Sequence, residues 1–362
     1  MTTKQTKNLI ATISRNCNIS DAKDNGIYSM CMLFMRLRNL FKWENGIEPW
    51  EEVDPPLLLD WIAQKEDEWA GLAMREFLPI PCGNGVIDPL DVHQVNSFLL
   101  PQNLLYGAGL GKALKAVFFV AHIVESRTEC GCQVKVLGKE EARELDSPFA
   151  LRQDNTIFFR TEPYRYFFWD RVMDTDSSKK VALRQALTVY ELLDKSGKIN
   201  VEKFKEEFDF IVNQEMTPII RHEVGEILDQ TLTSNTLTTL VSTFPGTVIE
   251  LLARSIKDAL ADLHDEGMLG WIIGKQRRSS LGFYLTFIDG FRKLLVPEIN
   301  GASTTFWQTG DWEIVDAARQ TARNNCRSIA RQLSEISTRI GIEDDSIILE
   351  RVKKEILEPL GV

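Results

Sequence analysis

The chain is 362 residues long and carries a formal net charge of −10, with 44% hydrophobic and 26% charged residues. That length exceeds the usual size of a single hydrophobic core and predicts two or three domains. The acidic balance argues against broad nucleic-acid binding, and the lack of any run of about 20 apolar residues excludes a membrane-spanning helix.

The opening stretch MTTKQTKNLI has no apolar segment of the kind a signal peptide needs. The six cysteines, Cys17, Cys31, Cys82, Cys130, Cys132 and Cys326, are scattered rather than set in a disulfide framework. Reduced thiols and a cytoplasmic setting are therefore expected.

Residues 1–80 read as an N-terminal helical region. Ser20 and Asp21 give a start signal after Asn16-Cys17-Asn18. Ile27 to Trp43 forms a helix whose run Met30-Cys31-Met32-Leu33-Phe34-Met35 is apolar nearly all round, so it should be well buried. Arg36 and Arg38 would then be partly buried and paired with Glu44 or Glu48. Asp54-Pro55-Pro56 breaks the chain before a second helix, Leu57 to Leu78, with Trp61 and Trp69 on one face.

Residues 81–175 predict a small α+β region. Asp88-Pro89-Leu90-Asp91 has the form of a helix N-terminus, followed by Val92, Val95, Phe98 and Leu99. Tyr106 to Lys112 is glycine-rich, but Ala113 stands where a phosphate loop needs Ser or Thr, so it reads as a turn leading to a strand. Lys115 to Val124 and Gln133 to Leu137 form a β-hairpin across the polar turn Glu125 to Cys132. A short helix at Lys139 to Leu145, a turn at Asp154-Asn155 and a strand at Thr156 to Arg160 follow. Glu162 to Val172 returns to helix, with Arg160, Arg165 and Arg171 among its aromatic rings.

Asp174 to Ser178 is a polar linker, and residues 176–362 predict an all-helical C-terminal domain. Its helices span Lys179 to Lys195, Asn200 to Gln214, Pro218 to Gln230, Thr247 to Glu266, Ser280 to Leu295, Asp311 to Ile336 and Glu343 to Leu357. The expected fold is thus mainly α: a multi-helix C-terminal domain with a small α+β section containing an antiparallel sheet in the middle of the chain.

One stretch carries a specific chemical reading: Met216 to Gln230, MTPIIRHEVGEILDQ. Thr217 and Pro218 suit a helix start. Ile219, Ile220, Val224, Ile227 and Leu228 then share one face, and His222, Glu223 and Glu226 lie opposite. His222 and Glu226 are four apart, one turn from each other, and can converge on zinc or another divalent metal. Glu223 is placed to act as general base on water beside that ion. The pattern is one substitution from His-Glu-x-x-His, because Glu226 replaces the second histidine. Gly225 interrupts the helix at a cost of about 1 kcal/mol against alanine, which suits close approach by another backbone or a ligand. Asp262 and His264, with Asp258 one turn before, are the candidates for completing the site. The same residues also fit a solvated helix face. Lys275, Arg277 and Arg278 form the one dense basic cluster, which reads first as a solvated loop and is also able to receive a phosphate or an acidic partner surface.

The run Asn16-Cys17-Asn18-Ile19-Ser20-Asp21-Ala22, followed by Leu37-Arg38, Lys42-Trp43-Glu44 and Trp61-Ile62, resembles a family of bacterial proteins of unknown function. That family also has a downstream His-Glu-x-Gly-Glu stretch, here His222, Glu223, Gly225 and Glu226. The resemblance implies a bacterial, cytoplasmic protein and no particular activity. Two functional readings follow: a metal-dependent hydrolase built on His222, Glu223 and Glu226, or a non-catalytic helical scaffold that docks a protein partner.

Overall fold

The computed structural model describes residues 3–83, 85–153, 155–174, 180–288 and 290–361. Asp154 of the expected turn and residues 175–178 of the expected linker lie outside them. The chain is mainly α-helical and divides into two compact units. The first holds residues 1–127, 133–151 and 158–170; the second holds 171–362 with two short pieces, 128–132 and 152–157.

The first unit begins with α1 (Thr3–Asp24), α2 (Met30–Glu44) and α3 (Pro55–Ala70). The helix runs straight through Ser20 and Asp21, which do not start a new one. Their side chains serve tertiary partners instead of a cap: Ser20 donates to the Ala116 carbonyl, and Asp21 pairs with Lys115. A two-stranded ribbon follows, β1 (Ile80–Cys82) with β2 (Gly85–Ile87), and then α4 (Val92–Leu99). Asp91 caps α4, its carboxylate accepting the Gln94 N–H at 3.0 Å.

The strands β3 (Leu104–Leu110), β4 (Ala116–Glu129), β5 (Cys132–Arg143), β6 (Ala150–Gln153) and β7 (Thr156–Arg160) form one sheet in the order β3-β4-β5-β7-β6. β3 and β4 are antiparallel from Leu104 opposite His122 to Leu110 opposite Ala116. The glycine-rich stretch is therefore itself a strand. Gly107 is required there, because a Cβ would fall 2.1 Å from the Phe119 ring. The central hairpin is longer than its apolar runs suggest and turns on Cys130-Gly131 alone. Lys139 to Leu145, expected as a helix, carries the end of β5. Its helix-favouring composition yields to pairing, since buried Glu140 meets Arg160 of β7 at 2.6 Å. The helix α5 (Thr161–Met173) follows.

The core of this unit joins Leu9, Ile13 and Cys17 of α1 to Val95 and Leu99 of α4 and to Tyr106, Phe118 and Val120 of the sheet. A buried ionic cluster lies beside it. The Lys115 ammonium reaches Asp21 at 2.9 Å and Glu144 at 3.1 Å, with all three side chains at most 2% exposed. Burial opposes the charge on Lys115, but Glu144 and Asp21 outweigh it and lift the ammonium above its ordinary range. The α2 helix departs from expectation. Leu37, Leu40 and Phe41 are buried, but Met30, Met32, Phe34 and Met35 in its first turns are exposed. Arg36 and Arg38 pair with Asp146 and Asp170, not with Glu44 or Glu48.

The second unit consists of α6 (Lys180–Val189), α7 (Val201–Leu228), α8 (Ser234–Thr243), α9 (Val248–Leu263), α10 (Met268–Gly274), α11 (Arg278–Phe287), α12 (Gly290–Leu295), α13 (Pro297–Thr309), α14 (Trp312–Ser337) and α15 (Asp345–Val352). Pro218 does not start a helix but lies inside α7. It removes one i→i−4 hydrogen bond. The helix continues because Ile211, Val212, Ile220 and Val224 are fully buried on either side of it. The strongly amphipathic α9 is the centre, packed by α7, α8, α10, α12 and α14. Its Ile249, Leu252, Ile256, Leu260 and Leu263 join Leu269, Leu281, Phe306, Cys326 and Ala330 in the largest core cluster. Being enclosed on several sides, α9 also buries the polar residues Glu250, Lys257 and Asp262.

No helix among the described residues is long and apolar enough to cross a membrane.

Candidate functional site

The α7 and α9 helices meet at Gly225. A Cβ built there would lie 2.1 Å from the Ala261 carbonyl oxygen, so only glycine permits this approach. Backbone contact at one point brings the polar faces of both helices together on either side of it. The α9 residue Lys257 then reaches across, donating to the carbonyls of Glu226 at 3.0 Å and Asp229 at 2.8 Å. These are carbonyls at the end of α7, where a cation is favoured.

In this seam His222, Glu226 and Asp258 each offer one ligand atom, and those atoms lie within 4.8 Å of one another. All three residues are partly buried. Asp262 approaches the histidine from the other side: its Oδ1 is 2.7 Å from His222 Nδ1, and its Oδ2 accepts from Arg292 at 2.8 Å. Asp262 thus orients the imidazole, as second carboxylates do behind metal-bound histidines. Glu223 belongs to the same cluster and is only 7% exposed.

The electrostatics are those of a site with too many acids. Burial alone would lower His222, but the Asp262 carboxylate outweighs it and lifts the imidazole to about 10. Burial, and then the neighbouring Glu226, push Glu223 up to about 8. Burial also raises Asp258. Asp262 behaves oppositely: Arg292 and His222 outweigh its burial and hold it below its ordinary value. Among the described residues, the side chains of Glu223, Glu226 and Asp258 accept no hydrogen bond; Glu226 has only Arg152 at 3.9 Å. None of their oxygens is both unpaired and closed to solvent, so water can reach them, but carboxylates gathered this closely favour a counter-charge or a proton.

His264 stands apart from these residues. Its Nδ1 accepts the Glu266 N–H at 3.1 Å, and burial and Arg323 lower its pKa. The next residue, Asp265, binds Arg319 and Arg323, each at 2.8 Å. Burial raises its carboxyl, but the two arginines prevail and hold it near 2. A folded-state value below the ordinary 3.8 stabilises the fold above that pH, and the contribution fades as pH falls toward 2. Urea midpoints of wild type and Asp265→Asn should therefore differ by a constant amount above about pH 5 and converge near pH 2. A gap that persists unchanged at pH 2 refutes this assignment.

Of the basic cluster noted in the sequence, Arg277 and Arg278 are engaged internally and Lys275 is exposed. Arg277 faces Glu215 at 3.7 Å, and Arg278 donates to Gln185 at 2.7 Å while lying over the Trp307 ring. Three residues of the seam escape sequence reasoning, Arg152, Lys257 and Arg292. Arg292 left one signal, a charged pair with Lys293 inside the otherwise apolar run Gly290-Phe291-Arg292-Lys293-Leu294-Leu295. Arg152 left none, because it reaches α7 only through β6.

Two family models match the chain. Residues 8–160 match the one described as "Family of unknown function (DUF6866) N-terminal domain", and residues 165–355 match the C-terminal domain of the same family. No curated protein and no solved structure matches.

Proposed function

The chain belongs to the DUF6866 family of unknown function, and we propose that its helical unit holds a divalent cation on His222, Glu226 and Asp258 and serves a metal-assisted hydrolysis. One observation carries the reading. Three ligand atoms of the right chemistry converge within 4.8 Å, and among the described residues no group donates a hydrogen bond to the two carboxylates. One nitrogen and two carboxylate oxygens suit zinc and similar ions, with room for a further ligand.

The surrounding residues have definite tasks in this reading. Asp262 holds Nδ1 of His222, which leaves Nε2 as the nitrogen that faces an ion. An ion there would take the place of the Nε2 proton of the imidazolium, while Nδ1 would keep the proton it donates to Asp262. Arg292 keeps Asp262 ionised and fixed. Glu223, which burial and the neighbouring Glu226 push above the ordinary carboxylate range, is the group placed to take a proton as general base. A bound divalent ion supplies Lewis acidity toward a water or a substrate oxygen.

The test is metal content, measured by mass spectrometry after zinc loading and desalting, on protein purified without chelator. About one zinc per chain is expected, lost in His222→Ala and in Asp258→Asn with circular dichroism unchanged. Asp262→Asn keeps all three ligands and should weaken zinc by about 10–100-fold. A wild type that retains no metal, or a folded His222→Ala that retains it fully, defeats the proposal. Hydrolase assays on the zinc-loaded protein follow, with Glu223→Gln expected to lower turnover while metal content stays the same.

A further inference from the structure

The seam is not closed evenly, and two arginines stand where it is open. Asp262 has a fully buried side chain and His222 is 13% exposed, but Glu226 and Arg152 reach 21% and 28%. Solvent therefore meets the cluster beside Arg152 of β6, and also beside Arg292, whose side chain is 29% exposed. Arg152 is the cation of the cluster whose donors are least committed. Its Nε is 3.9 Å from Glu226, beyond hydrogen-bond range, and it makes no hydrogen bond among the described residues. The other cations are engaged: Arg292 donates to Asp262, and Lys257 to two carbonyls.

A guanidinium with free donors beside a cation site presents a planar fork to an oxyanion. The geometry points to a substrate that carries a phosphate group, held between Arg152 and the cation bound by His222, Glu226 and Asp258. This inference rests on the metal reading. Without the ion, the carboxylates of Glu223, Glu226 and Asp258 would repel any anion. With it, a doubly charged phosphate gains from the ion and from Arg152 together. A singly charged carboxylate gains less from the same pair.

The experiment takes the full chain, loads it with zinc, verifies zinc content, and titrates inorganic phosphate by calorimetry beside acetate. Wild type should bind phosphate, and acetate about tenfold or more weaker. Arg152→Gln should keep its zinc and lose phosphate affinity by about tenfold or more. Arg152→Lys, which keeps the charge without the fork, should fall between them. Zinc retained with no phosphate binding, with equal binding in Arg152→Gln, or with acetate as tight as phosphate overturns this inference and leaves the metal site standing. Zinc absent from the wild type overturns both.

Discussion

Gly225→Ala is expected to destabilise the helical unit by about 1–3 kcal/mol or more and to lower its zinc content. In an isolated helix the same change would stabilise by about 1 kcal/mol. The sign reverses here because the added carbon would lie 2.1 Å from the Ala261 oxygen and 2.8 Å from its carbonyl carbon. Neither is the flexible end of a side chain, so α7 and α9 must move apart. His222 and Glu226 are on one of those helices and Asp258 on the other, so separation also spreads the three ligand atoms. A urea titration followed by helical circular dichroism reads the first effect, and metal analysis of the folded fraction reads the second. A variant as stable as wild type would show that the close approach at Gly225 does not govern the packing.

Lys115→Met carries a larger expected loss, about 3–5 kcal/mol, which is the range for breaking a buried ion pair by removing one partner. The change leaves Asp21 and Glu144 buried without their counter-charge. Asp21 also accepts the Leu145 N–H at 3.0 Å, and Glu144 that of Ser147 at 2.8 Å, so neither carboxylate is free to turn toward water. The control is the triple variant with Asp21→Asn and Glu144→Gln added. It removes the stranded charges and keeps most acceptors, and should recover much of the loss. Near-wild-type stability for Lys115→Met alone would mean that the ammonium is dispensable to the cluster.

The sequence made some of this legible and hid the rest, for physical reasons. The four-residue step from His222 to Glu226 fixes them on one side of any helix that contains both. The apolar face of α9, from Ile249 to Leu263, is equally unambiguous, and it places Asp258 and Asp262 on a common strip. Nothing local shows that the two strips face each other, because that depends on Gly225 meeting Ala261. Pro218 misleads for the same reason: its local rule favours a helix start, and burial of the residues around it overrides the rule. The run Lys139 to Glu144 has the composition of a helix, yet its pairing with residues near Arg160 draws it into a strand. The exposed methionines of α2 show the converse, an apolar run that the folded chain does not cover. Family membership agrees with the expectation of a family of unknown function.

The division of the chain into units has a consequence for how it is made. The second unit includes residues 128–132, at the tip of the hairpin between β4 and β5. Arg221 of α7 contacts Glu129 at 3.3 Å, and Cys130, 91 positions earlier in the chain, also accepts from it. At about 5–20 residues per second of synthesis, the tip therefore waits roughly 5–18 s for that partner. Residues 152–157, which carry Arg152, wait in the same way for Glu226. A fragment beginning at residue 165, where the C-terminal family model starts, lacks both pieces. The shortest continuous fragment that contains the whole second unit begins at residue 128 and takes β5, β7 and α5 with it, but loses nearly all of β4. The helical unit is thus completed late, by residues that have already left the ribosome as part of a sheet.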